Sequence, residues 1–160
     1  DVMKFLKNIK NKGAITIATW FGSGYLKPAP GTWGSLAAIP PGIGLYAVSG
    51  PPGLLAGVIL ISLVGYYASV LYCQNRNVTG DPKEIVIDEV AGQWIALIPA
   101  GLNIWLVILA FALFRFFDVV KVWPANMIDR KLKSPLGIML DDIVAGFYAA
   151  VFVILFRSFL

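Results

Sequence analysis

Apolar residues along this chain gather into long runs, not into the short periodic stripes of a water-soluble fold. Residues 54–72 carry no charge at all, and neither do residues 34–49. Three further runs, 85–100, 104–120 and 136–160, are apolar except near their ends. A helix needs about 20 apolar residues to cross the hydrocarbon of a bilayer, and these runs are of that order. Residues 34–49 contain Pro40-Pro41, which predicts a kink or break. Gly50-Pro51-Pro52-Gly53 reads as a tight turn, 74–83 as a polar loop around Gly80-Asp81-Pro82, and 99–103 as a short turn. Residues 122–135 are mixed and read as a loop or surface helix. Residues 14–26 are too short to cross and read as an interfacial or re-entrant half-helix, ended by Lys27-Pro28-Ala29-Pro30-Gly31. The pattern predicts an all-α, polytopic membrane helix bundle. It has about five spans plus the short N-terminal helix, in a single domain over 1–160.

Composition agrees. The chain is 58% hydrophobic and 14% charged, against about 45–50% and about 25% in soluble domains. That excludes disorder and a conventional soluble enzyme. Thirteen basic residues against nine acidic give +4. Two basic clusters, Lys4, Lys7, Lys10 and Lys12, then Arg130, Lys131 and Lys133, read as cytoplasmic flanks facing anionic headgroups. No basic, aromatic-interleaved surface of a nucleic-acid binder is visible. One cysteine, Cys73, excludes an internal disulfide framework, and there is no histidine. Lys4–Lys12 followed by residues 14–26 has the outline of a signal peptide. Pro28-Ala29-Pro30-Gly31 makes a poor cleavage site, so no cleavage is expected. Trp20, Trp33, Trp94, Trp105 and Trp123 read as interfacial anchors.

The positive-inside rule fixes a topology. With the N-terminal lysines in the cytoplasm, the loops at 74–83 and 121–135 are cytoplasmic and the uncharged turns at 50–53 and 99–103 lie outside. Asp88 and Glu89 then begin an outgoing span, Asp118 ends an incoming one, and Asp141 and Asp142 begin another outgoing one. All five carboxylates share one depth, just below the cytoplasmic surface. Acidic residues at helix starts favour the macrodipole, which accounts for four of them singly but not for Asp118. Ionisable groups inside spans mark functional sites, and carboxylates brought together repel unless a cation holds them. Oxygen ligands suit Mg²⁺, which takes phosphate as a further ligand.

Arg115, Asp118 and Lys121 follow at i, i+3 and i+6. They read either as an internal ion pair plus a lysine reaching the interface, or as phosphate-binding cations flanking a metal ligand. Thr32 is a candidate N-cap for the helix at 34–49, with Ser35 one turn in, and such an end can bind an anion. Asp129-Arg130 reads as a surface pair and Cys73 as a span-end residue.

Several segments carry a resemblance, in order along most of the chain. They are Phe21-Gly22-Ser23-Gly24, Pro30-Gly31-Thr32-Trp33-Gly34-Ser35-Leu36-Ala37, Ile87-Asp88-Glu89-Val90-Ala91-Gly92, and Phe114-Arg115-Phe116-Phe117-Asp118 with Lys121-Val122-Trp123-Pro124. The last and most specific is Gly137-Ile138-Met139-Leu140-Asp141-Asp142-Ile143-Val144-Ala145-Gly146. The chain resembles the phosphatidylglycerophosphatase A family of bacterial membrane lipid phosphatases. Val122 stands where that family commonly has the first proline of Lys-Pro-x-Pro. The resemblance implies Mg²⁺-dependent hydrolysis of the terminal phosphate of phosphatidylglycerophosphate, giving phosphatidylglycerol, at the cytoplasmic side of the bacterial inner membrane. It implies Glu89, Asp118, Asp141 and Asp142 as metal ligands, Asp88 as ligand or base, and Thr32, Ser35, Arg115 and Lys121 on the phosphate. A histidine-based lipid phosphatase has no histidine to use. A cation or proton transporter remains the alternative, although its carboxylates should scatter toward the midplane. No oligomeric state follows from the sequence.

Overall fold

Ile87–Ala100 is buried along nearly its whole length, and three other helices pack around it. The computed structural model describes residues 2–159. Those residues form α1 (Val2–Ala18), a 3₁₀ turn (Ser23–Tyr25), α2 (Pro30–Arg76), α3 (Ile87–Ala100), α4 (Ile104–Val120), α5 (Ala125–Lys131) and α6 (Pro135–Arg157). No strand occurs among the described residues. The all-α expectation holds. The expected last residue of the final span, Leu160, lies outside the described residues.

Two expectations fail, each for a backbone reason. The N-terminal helix is not 14–26 but runs through the lysines and stops at Ala18. It stops because Trp20, Phe21 and Gly22 all take positive φ (44°, 56° and 87°), which no right-handed helix continues. Pro40-Pro41 does not break α2, since proline's own φ is helical. The break falls within the expected turn, at Gly50, with φ 66° and ψ −167°, a conformation essentially reserved for glycine. The helix resumes at once, with Pro51 and Pro52 in its first turn, where a missing N–H is harmless. The two arms fold back, so that Leu45 of the first and Trp94 of α3 both pack against Gly57 of the second.

Among the described residues, α2 and α6 are the helices both long and apolar enough to cross a bilayer, by length and composition. α3 and α4, at 14 and 17 residues, are shorter than the about 20 of a full crossing. α3 spends its apolar surface inside the bundle. Trp94 belongs to that interior: it is 7% exposed and its Nε1 donates to the Ala38 carbonyl at 2.8 Å. Trp105 and Trp123 are exposed, as anchors should be.

α3 and α6 touch backbone to backbone. A Cβ on Gly92 would lie 2.6 Å from the Asp142 carbonyl oxygen and 2.8 Å from Phe114 Cζ, and one on Gly146 would lie 2.9 Å from the Gly92 Cα. Side chains of any size would hold these helices apart. Gly146→Ala is therefore expected to destabilise the fold by about 1–3 kcal/mol, the usual scale of overpacking. Denaturation in detergent checks this, and an unchanged melt would contradict the contact.

Candidate functional site

Four helix ends meet around one cavity of about 260 Å³: the N-terminal ends of α2, α3 and α6 and the C-terminal end of α4. α3 contributes Asp88 and Glu89 from its first turn. α6 contributes Asp141 and Asp142 from its second turn, after a start at Pro135 capped by the Ser134 hydroxyl. α4 contributes Arg115 and Asp118 from its final turns, and Lys121 caps its end in the left-handed conformation, with φ 51°. The close α3–α6 contact brings the acidic ends of those two helices side by side.

Asp88, Glu89 and Asp142 each offer a carboxylate oxygen, and these three oxygens lie within 4.8 Å of one another. Asp88 and Asp142 are nearly sealed from solvent, at 6% and 4% exposed. Asp88 Oδ1 and Glu89 Oε2 are buried with no hydrogen-bond partner among the described residues. Buried polar atoms in native proteins nearly always find a partner, so a cation among these oxygens is the group the donor set fits. The other two expected carboxylates are in the same cavity but already engaged. Asp118 is paired with Arg115, whose Nη1 also lies 3.9 Å from Glu89 Oε1. Asp141 accepts from Lys121 Nζ at 2.7 Å. The i, i+3 pair thus forms as one of the two sequence readings had it. Lys121 does not reach for the interface. It bonds both Asp141 and Asp129, the latter at 2.8 Å. Burial works against its ammonium, yet those two bonds hold its pKa above the ordinary value.

Thr32 and Ser35 are not where the sequence put them. The helix begins two residues before Thr32, with Ala29 as N-cap and Pro30 at its first position, and no side chain caps it. Ser35 is fully buried and its hydroxyl donates to the Gly31 carbonyl at 2.8 Å. Neither lines the cavity; Ala29, Pro30 and Gly31 do. Gly31 is needed for close approach, since a Cβ there would run into Glu89 Oε1 and lie 3.1 Å from both Arg115 Nη atoms. Its amide is one of the first-turn donors a helix leaves free.

Asp81 and Lys83, from the loop between α2 and α3, also line the cavity. Sequence reading took Gly80-Asp81-Pro82 only as a loop. The available signal was an acidic and a basic residue flanking the carboxylate layer on the same side. Burial raises the Asp81 pKa above its ordinary value, with Lys121 acting in the opposite direction. Asp129, expected to be a surface pair with Arg130, instead ties α5 to Lys121.

A phosphatidylglycerophosphatase A family model matches residues 16–157, which include every residue of this cavity. The chain belongs to the phosphatidylglycerophosphatase A family. It is 42% identical over 141 residues to a phosphatidylglycerophosphatase A of Haemophilus influenzae, covering 86% of this chain and 84% of that one. It is 39% identical over 154 residues to phosphatidylglycerophosphatase A of Escherichia coli K12, covering 94% and 86%. A Bacteroides thetaiotaomicron protein named "Putative phosphatidylinositol-3-phosphatase" is 37% identical over 152 residues, covering 89% and 92%. No solved structure matches the chain. As a phosphatidylglycerophosphatase A family member the chain is a phosphatase, acting on a phosphate monoester.

Gly31→Ala tests the assembled geometry. The clashing atoms are the mobile ends of Glu89 and Arg115, so the helix should form and the melt should hold. Phosphate release should fall by about tenfold or more, because small misplacements of reacting groups are costly. Full activity would mean that the α2 end does not shape the site.

Proposed function

We propose that the chain hydrolyses phosphatidylglycerophosphate to phosphatidylglycerol, with Mg²⁺ held by Asp88, Glu89 and Asp142, as a multi-pass protein of the bacterial inner membrane. The observation that carries this reading is the cluster of three carboxylate oxygens within 4.8 Å, two of its residues holding unpartnered buried oxygens, beside Arg115 and Lys121. About five crossing segments, with the two arms of α2 counted separately and the cavity at the cytoplasmic face, fit the distribution of lysine and arginine.

The cavity wall holds six carboxylates, Asp81, Asp88, Glu89, Asp118, Asp141 and Asp142, against three cationic side chains, Lys83, Arg115 and Lys121. A dianionic phosphate could not enter such a site unaided. Mg²⁺ bound there supplies the missing positive charge and Lewis acidity toward the phosphoryl oxygens. Phosphate oxygens compete with Asp118 for Arg115 and with Asp141 for Lys121, so the two bridges open as the headgroup docks. Asp118 and Asp141, which line the same cavity, would then be free to serve as further ligands to such a cation. Water attacks phosphorus in line, the bond from phosphorus to the glycerol oxygen breaks, and a carboxylate of the cavity takes the proton from the attacking water and returns it to the departing glycerol oxygen, which leaves as the alcohol. The acyl chains stay in the bilayer, which is why a lipid headgroup substrate suits a cavity among helix ends. A transporter built on the same carboxylates gains no support from the family match.

An assay in detergent tests this with phosphatidylglycerophosphate, phosphatidylinositol 3-phosphate, phosphatidic acid and a water-soluble phosphomonoester. Phosphatidylglycerophosphate should be turned over fastest, chelation should abolish release, and Mg²⁺ should restore it. Asp142→Asn should lower kcat by roughly 100-fold or more, the scale for losing one group that stabilises transition-state charge, and should melt no lower. Activity that survives chelation, or an Asp142→Asn enzyme with full turnover, would overturn the proposal. Faster turnover of the inositol lipid would reassign the substrate.

A further inference from the structure

Gln93 is fully buried, and neither its Oε1 nor its Nε2 has a hydrogen-bond partner among the described residues. The buried hydroxyls of Thr19 and Ser35, by contrast, are satisfied by carbonyls four residues back. A buried amide with no partner is a rare and unfavourable thing, normally met by an ordered water or a ligand.

Position says what meets it. Gln93 follows Glu89 by four residues on α3, on the same face and one turn deeper. Helical side chains lean toward the N-terminus, which carries the Gln93 amide toward the Glu89 carboxylate. Glu89 Oε1 is the oxygen on the Gly31 and Arg115 side. Its Oε2 is buried and unpartnered. An amide with two donors and a carboxylate that only accepts are complementary, and at a spacing of about 5–6 Å between their Cβ atoms one water can join them.

We propose that Gln93 is a positioning residue: through one shared water it fixes the orientation of Glu89, and so sets how tightly Asp88, Glu89 and Asp142 grip a divalent cation. This rests on the reading of those three carboxylates as the cation-holding group. Outer groups that orient a ligand typically change metal affinity by about 10–100-fold.

The test is Mn²⁺ binding to the full chain in detergent without substrate, followed by the electron paramagnetic resonance signal of free Mn²⁺, for wild type and Gln93→Leu. Leucine is close in size and removes the unpartnered amide, so the melt should not fall. The Mn²⁺ dissociation constant should rise about 10–100-fold, and at saturating Mn²⁺ the KM for lipid should stay at the wild-type value. Wild-type Mn²⁺ affinity in Gln93→Leu would overturn the inference, as would a lowered melt with unchanged affinity, the signature of a merely structural amide. If Gln93→Leu does not fold, Gln93→Met carries the same two readings. A wild-type protein that binds no Mn²⁺ would instead remove the cation site itself, and this inference with it.

Discussion

Acidic side chains held together out of water set the demand that the rest of this structure has to answer. Asp88, Glu89 and Asp142 are brought within 4.8 Å because Gly92 and Gly146 let α3 and α6 meet without intervening side chains. The apolar packing along α3 that makes this contact favourable also seals the carboxylates from solvent. Desolvation and mutual repulsion both disfavour three charges in that position. A site of this kind is held in place by the surrounding fold, and its acidity finds a use only when something positive arrives.

The fold answers part of that demand with its own cations. Arg115 takes Asp118, and Lys121 takes Asp141 and Asp129. Because Lys121 sits at the end of α4 and bonds residues of both α5 and α6, it ties three helices together at the rim of the cavity. The same two cations are those a phosphate would recruit. On the proposed reading, resting-state neutralisation and substrate recognition would draw on one set of side chains. The Asp88–Glu89–Asp142 group receives no comparable bridge beyond the 3.9 Å approach of Arg115 to Glu89.

Much of this was legible from the chain alone. The apolar runs gave the helices from α3 onward within a few residues. The inference that Asp88, Glu89, Asp118, Asp141 and Asp142 converge followed from where charges fall within those runs, and all five line one cavity. What escaped was decided by backbone conformation or by long side chains. Pro40-Pro41 reads as a kink or break because proline looks disruptive, yet it keeps helical angles, while the expected turn at Gly50-Pro51-Pro52-Gly53 is made by Gly50 alone. Thr32 was read as a cap because of its residue type, whereas the helix starts at Pro30 and turns Ser35 back on its own backbone. Which carboxylates cluster and which are bridged depends on where Arg115 and Lys121 reach, and spacing along the chain cannot report that. Gln93, in the middle of an apolar helix, offered no sign of being unpartnered until its surroundings were visible.

The central claim is that Asp88, Glu89 and Asp142 jointly hold a divalent cation. Anomalous diffraction from crystals grown with Mn²⁺ tests it most directly. The account predicts a strong anomalous peak bounded by those three side chains and absent from an Asp88→Asn protein. A peak lodged elsewhere in the bundle, or none in crystals that diffract well enough to show one, would contradict it.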